Sequence, residues 1–233
     1  MVPCPDCTCG TCSGAGFLLD ACGQVVACPS CSALDYAATC GLSEQELTTT
    51  AAQMFVSGSQ ADRETQQLLR WLVDEMVTRP TGWLTLWGSY GTAKTMAAHA
   101  IVAGLVRAGV QARYYHAKRL EQGWFDDMRG DTANAVLYRR VRVLVIDEAD
   151  KINFKSDWTR GAFQELMDER YRSGLRGATC TLLISQHDPA QAMPGDVASR
   201  MADGRFYRQW AGGRNRHAVA RAEWGPGLWV PGI

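Results

Sequence analysis

The sequence predicts an α/β fold, a mainly parallel sheet flanked by helices on both faces. Two patterns carry that expectation. Apolar runs of strand length at residues 83–87, 110–116, 141–146 and 179–185 alternate with longer stretches of helical spacing, in the order β-α-β-α-β-α-β. The first and third runs also end abruptly, one in a Gly-containing turn at 88–95 and the other in the acid pair Asp147-Glu148. Parallel α/β sheets bind ligands outside the carboxyl ends of their strands, so chemistry is expected at those two ends.

Composition bounds the rest. A chain of 233 residues holds one such domain and a small appendage. Hydrophobic residues at 46% and charged residues at 21% are the proportions of a globular protein in water. Net charge is zero, so any contact with nucleic acid must come from local patches. The N-terminal stretch has no charged segment leading into an apolar one. The most apolar helical stretch, 96–110, is interrupted by His99 and Arg107 and is too short for a bilayer. A cytoplasmic protein without membrane contact is expected. There thiols stay reduced, and nine cysteines argue for metal ligation rather than disulfides.

Taken in order, residues 1–40 hold all the cysteines but Cys180. Cys28 and Cys31 make one Cys-x-x-Cys knuckle. Cys4/Cys7 and Cys9/Cys12 both lie at a suitable distance to make the other. Cys9 and Cys12 are preferred, because the run 9–17 places Gly at its turn positions. Residues 17–19 and 24–26 would then form a small hairpin between the pairs. Cys9, Cys12, Cys28 and Cys31 are thus the expected ligands of Zn²⁺ in a ribbon-like module. Four thiolates leave no open coordination position, which makes the metal structural and the module a docking surface. Residues 41–61, rich in Ser, Thr and Gly, read as a linker with at most one short helix. Residues 62–78 carry Leu69, Leu72, Val73, Met76 and Val77 at helical spacing.

The strand at 83–87 opens the first reactive stretch. Gly88, Ser89, Tyr90, Gly91, Thr92, Ala93, Lys94, Thr95 and Met96 follow the order of a phosphate-binding loop. A strand delivers the chain, a turn points backbone N–H groups inward, and a helix N-terminus adds partial positive charge. Lys94 is placed to reach the β- and γ-phosphates of ATP, and Thr95 to hold Mg²⁺. Ala93 stands where that pattern has its second Gly, and its methyl is expected to tune affinity or rate. After a helix at 96–107 and a second strand come residues 117–140, helical with a break near Gly130. The third strand presents Asp147 to the Mg²⁺ shell and Glu148 to an attacking water. A helix at 157–172 leads to the fourth strand, which ends in Ser185-Gln186, where a polar side chain could orient that water. Residues 205–210 are strand-like.

The loop GSYGTAKT, the strand VRVLVIDEAD, the segment ELMDERYRSG, the strand end LLISQHDP and the later ASRMADG together resemble the AAA+ ATPases of the bacterial helicase-loader group, the DnaC/DnaI type, with IstB-type transposition helpers as relatives. The resemblance spans roughly residues 62–221 and implies roles for matching positions. Lys94 and Thr95 correspond to Walker A, Asp147 and Glu148 to Walker B, and Gln186 to the sensor position, where Asn is usual. Arg200 corresponds to an arginine finger offered to a neighbouring subunit, and Arg214 to a later Arg that contacts nucleotide. The Cys-x-x-Cys-x-Gly-x-Gly run resembles the zinc domains by which some loaders dock on a helicase.

The expected organisation is therefore a zinc module (1–40), a linker (41–61), an AAA+ P-loop NTPase domain (62–221) without a separate helical lid, and a tail (222–233). The expected partners are a DnaB-type helicase, single-stranded DNA and further copies of the chain. Arg205, Arg208, Arg214, Arg216 and Arg221, interleaved with Phe206, Tyr207 and Trp210, are candidates for tracking that DNA. Two other readings share the same residues: a transposition helper ATPase on duplex DNA, and a zinc-dependent adaptor whose nucleotide site is a switch without turnover.

Overall fold

The structure, a computed structural model, describes residues 17–19, 25–27, 37, 39–53, 60–88, 90–129, 138–201 and 207–212. Strands β1 (Phe17–Leu19) and β2 (Val25–Ala27) pair antiparallel with Phe17 opposite Ala27, so the expected hairpin forms with its second strand one residue later. There follow α1 (Glu44–Leu47), a short helical turn (Ala51–Gln53), α2 (Gln60–Thr78), β3 (Gly82–Gly88), α3 (Lys94–Arg107), β4 (Ala112–His116) and α4 (Ala117–Met128). The second half comprises β5 (Val143–Asp147), α5 (Asp157–Leu175), β6 (Cys180–Ser185), α6 (Pro189–Ala192), α7 (Gly195–Met201) and β7 (Tyr207–Gly212).

Strands β3 to β7 form one sheet in the order β4-β5-β6-β3-β7, and each neighbouring pair is parallel. The four expected strands are all present, and the strand-like stretch near residue 210 adds a fifth beside β3. The strands read as unbroken apolar runs because both faces are covered. Successive residues point to opposite sides. Leu84, Leu86, Val143, Val145, Leu182 and Ile184 pack with Leu69, Leu72, Met76, Ile101 and Leu105 of α2 and α3. Trp83, Leu144, Ile146 and Leu183 pack on the other side with Leu120 and Trp124 of α4 and Phe163, Leu166 and Met167 of α5.

Two boundaries differ from the sequence expectation for identifiable reasons. Strand β4 starts two residues after Val110, because Val110 closes the end of α3. Gly109 adopts φ 72°, its N–H donates to the Val106 carbonyl (3.0 Å), and the Val110 N–H donates to the Leu105 carbonyl (2.8 Å). That is the Schellman arrangement of a helix end. The stretch read as a linker is partly folded onto the sheet. Cys40 and Leu42 are buried on the α2–α3 side of the core, and α1 begins with a reciprocal capping box between Ser43 and Glu46. Among the described residues of 41–61, Leu42 is buried and Leu47 and Ala51 pack partly buried on the core, a spacing with no regular period. Among the described residues no helix is long and apolar enough to cross a membrane.

Candidate active site

Strand β3 delivers the chain to Gly88 at the carboxyl edge of the sheet, and α3 begins at Lys94. Between them the backbone turns through positive φ at Gly88 (139°), Gly91 (74°) and Ala93 (62°). A turn of this kind aims N–H groups at its concave side, next to the positive end of α3. Glycine adopts such angles freely. Ala93, with ψ 18°, sits in the left-handed region, at a cost of about 1–2 kcal/mol. Tyr90 and Met96 are exposed on the rim, and Ser89 lies outside the described residues.

Lys94 Nζ is folded back over the loop, donating to the Gly88 carbonyl (2.7 Å) and to Thr92 Oγ1 (3.1 Å). Burial pulls its pKa below the ordinary lysine value, while Asp147 and Asp150 pull the other way. A partly desolvated ammonium held by neutral oxygens gains by exchanging them for phosphate oxygens.

Opposite the loop, β5 ends in Asp147, which is buried. Its Oδ2 accepts from Thr95 Oγ1 (2.8 Å) and from Tyr114 Oη (2.7 Å), and its Oδ1 accepts from the Glu148 N–H (2.8 Å). A hydroxyl and a carboxylate side by side are the hard oxygen donors that suit Mg²⁺, so these residues fit that ion. Glu148 is held at φ 53° and ψ 40°, a second non-glycine residue in the left-handed region. Strain of about 1–3 kcal/mol is characteristic of reacting positions. Its Oε2 lies 2.8 Å from His116 Nε2, because the β4–β5 register sets His116 opposite Asp147.

Beyond β6, Gln186 donates its backbone N–H to Asp150 Oδ1 (3.3 Å), and its Oε1 accepts from Lys151 Nζ at 3.5 Å. His187 Nδ1 lies 2.7 Å from Asp150 Oδ2, which orients that acid beneath the loop. Residues 90–96, Asp147, Glu148 and Gln186 line one cavity of about 250 Å³. The fold thus brings Lys94, Thr95, Asp147, Glu148 and Gln186 together from three strand ends.

Arg200 is not among them. On α7, its Nη2 pairs with Asp168 Oδ1 at 2.5 Å, and its guanidinium lies 5.9 Å from the centre of the Tyr171 ring. Arg214 and the cysteines Cys9, Cys12, Cys28 and Cys31 fall outside the described residues. Tyr114, His116, Asp150 and Lys151 belong to the site without having been assigned a role from sequence. Their one local signal is position: polar or ionisable residues in the second half of β4 or in the helical turn just after β5.

The profile of the "ATPase family associated with various cellular activities (AAA)" matches residues 84–203, over half of the chain. No curated protein matches the sequence. Solved structures with a similar fold include a DnaC helicase loader, 17% identical with a TM-score of 0.59, covering 72% of this chain and 99% of that one. A DnaI structure is 17% identical with a TM-score of 0.55, covering 76% of this chain and 94% of that one. DnaA from Aquifex aeolicus bound to AMPPCP is 18% identical with a TM-score of 0.55, covering 70% of this chain and 49% of that one. The match thus spans about half the length of that DnaA structure and of a DNA replication initiation factor, and 65% of a structure of DnaA domain III alone. At these identities the likeness is one of fold.

Proposed function

The chain belongs to the AAA family of ATPases, and from that premise we propose that it is a replicative helicase loader, docking a DnaB-type helicase and contacting single-stranded DNA. It is an ATP-hydrolysing enzyme by family membership. The loader reading rests on one observation above others. The fold match takes in 99% of the DnaC helicase loader chain and 94% of the DnaI chain, against 49% of DnaA, which supports the loader reading.

In this reading the loop N–H groups and Lys94, released from the Gly88 carbonyl, bind the β- and γ-phosphates. Thr95 and Asp147 hold Mg²⁺, which when bound neutralises charge that develops on the transferred phosphoryl group. Glu148 polarises the attacking water once its carboxylate leaves His116, and Gln186 orients that water from the far side. Arg200 acts on the nucleotide of a second copy, since within its own chain it reaches Asp168 and not the cavity. Cys9, Cys12, Cys28 and Cys31 hold Zn²⁺ around the β1–β2 hairpin and present the helicase-docking surface, with Cys4 and Cys7 as the other candidate pair.

Support for a DNA contact comes from α4 as well as from residues 205–221. Lys118, Gln122, Phe125 and Arg129 recur at helical spacing and are all exposed, and Phe125 stacks on the exposed Trp158 with ring centres 4.5 Å apart. Cations flanking a stacked aromatic pair suit the phosphates and bases of a single strand.

Two measurements test the proposal. Glu148→Gln lowers steady-state ATP turnover about 10²-fold while leaving ATP affinity within about twofold. Unchanged turnover would remove Glu148 from the chemistry. For the partner, the full chain is mixed with a bacterial DnaB-type hexamer in ATP, Mg²⁺ and Zn²⁺ and run on a sizing column. Co-elution is expected, lost in Cys28→Ser. Separate elution of the wild-type proteins counts against the loader reading and leaves the ATPase intact.

A further inference from the structure

Tyr114 occupies a position that the hydrolysis reaction as described does not explain. Its hydroxyl donates to Asp147 Oδ2 at 2.7 Å, the oxygen that also takes the Thr95 hydroxyl. Its backbone N–H donates to the Cys40 carbonyl at 2.7 Å. Its ring stands edge-on to His99, 4.8 Å between centres, and His99 Nε2 lies 3.8 Å from Glu46 Oε1. One residue of an edge strand therefore touches both the buried carboxylate of the site and the segment that leads out of the cysteine-rich module.

That segment is held on the sheet by several contacts. Beyond the bond at Cys40, Arg107 Nη1 at the end of α3 donates to the Leu47 carbonyl (2.9 Å). Gly41 passes so close to β4 that a Cβ there would lie 2.2 Å from the Tyr114 carbonyl oxygen, and its φ of 88° disfavours any side chain. The segment and Tyr114 cannot move independently at this contact.

We propose that Tyr114 is a positioning residue that couples the seating of residues 39–47 to the Mg²⁺ side of the nucleotide site. With its hydroxyl in place, the Asp147 carboxylate has one rotation open to it: Oδ2 toward Thr95 and Tyr114, Oδ1 toward the Glu148 N–H. Without it, a buried carboxylate oxygen keeps a single donor, and the carboxylate can turn away from the metal position. Reciprocity of binding free energies then requires Mg²⁺-nucleotide to strengthen the hold on residues 39–47, and a partner that pulls on this segment to weaken Mg²⁺-nucleotide. The N-terminal module would thereby report on the nucleotide without touching it.

The inference rests on Thr95 and Asp147 being the Mg²⁺ side of the site, so the experiment separates the two. A fluorescent ATP analogue is titrated onto the full-length wild type, Thr95→Val, Tyr114→Phe and Gly41→Ala, in excess Mg²⁺ and in EDTA. Hydrogen–deuterium exchange of residues 40–47 is followed in parallel. Thr95→Val and Tyr114→Phe are each expected to bind about tenfold more weakly in Mg²⁺ and unchanged in EDTA. Gly41→Ala, which presses on the segment and on the Tyr114 carbonyl but removes no donor to Asp147, is expected to weaken binding several-fold in Mg²⁺ alone. Mg²⁺-nucleotide should slow exchange of 40–47 in wild type and not in Tyr114→Phe. Wild-type binding by Tyr114→Phe, or an equal loss in EDTA, overturns the proposal and leaves the Thr95–Asp147 reading standing. Wild-type Mg²⁺ dependence in Thr95→Val overturns both. Faster exchange in Gly41→Ala with undiminished Mg²⁺ affinity also overturns the coupling.

Discussion

Ala93 shows how one methyl group shapes the site. It stands at φ 62° at the turn from loop to helix, where a glycine would carry no steric cost. Ala93→Gly removes about 1–2 kcal/mol of left-handed strain and returns about 0.4–1 kcal/mol of freedom to the unfolded chain. The expected net is a stabilisation of about 0.5–1 kcal/mol, read as a Tm higher by about 2 °C. A lower Tm would mean that the methyl packs favourably enough to outweigh its backbone. His99 makes a second prediction at this scale. Burial holds its pKa below the ordinary value of 6.5, with Glu46 and Asp147 pulling it partly back. Below about pH 6.5 the unfolded chain takes up a proton that the folded one resists. Stability from this group is therefore present above that pH and lost as the pH falls through the folded value. The urea midpoint should decline between about pH 7 and pH 5, and His99→Gln should decline less. Parallel declines in both proteins would assign the acid limb to other groups.

At the scale of elements, the strand ends meet because the sheet is anchored at its opposite edge. Arg170 of α5 is fully buried. Its Nε donates to Thr181 Oγ1 (2.8 Å), its Nη1 to the carbonyls of Val141 and Arg139 (3.1 Å each) and Tyr138 (3.3 Å), and its Nη2 to the Cys180 carbonyl (2.5 Å). Burial pushes its pKa down to about 9, still charged at neutral pH. One side chain thus ties α5 to the entrances of β5 and β6, the strands that carry Asp147 and lead to Gln186. Arg170→Met fills much of the volume yet strands four carbonyls without that donor. A loss of about 3 kcal/mol in urea unfolding is expected, with a smaller effect on ATP affinity in the protein that remains folded. A change below about 0.5 kcal/mol would show that water replaces the guanidinium at no cost. The elements themselves were largely legible in the sequence. Strands covered on both faces announce themselves as apolar runs, and α2 and α5 by their spacing. The Gly109 helix end was legible too, but not that Val110 would be spent closing it.

For the molecule as a whole, Arg200 stands outside the cavity lined by residues 90–96, Asp147, Glu148 and Gln186. Within the chain it pairs with Asp168, and the proposed role of this arginine on the ATP of a second copy makes a prediction. Arg200→Ala should leave ATP affinity unchanged and lower turnover about 10³-fold at concentrations where copies assemble. Wild-type turnover per subunit should rise with protein concentration over the same range. Turnover per subunit that is independent of concentration, with an active Arg200→Ala, would place the complete site within one chain.

The sequence by itself determined the α/β class, the phosphate loop at 88–96 and the acid pair at 147 and 148. Each is a short-range pattern, set by a repeat of two or of about 3.6 residues or by a turn within one segment. Only the tertiary structure decided that Tyr114 and His116 hold Asp147 and Glu148, that Asp150 reaches under Gln186, and that Cys40 and Glu46 bring the polar stretch after the cysteines onto β4 and α3. Those contacts depend on strand register and on which face of the sheet a residue enters. Both are settled by packing between segments far apart in the chain, and no local spacing encodes them.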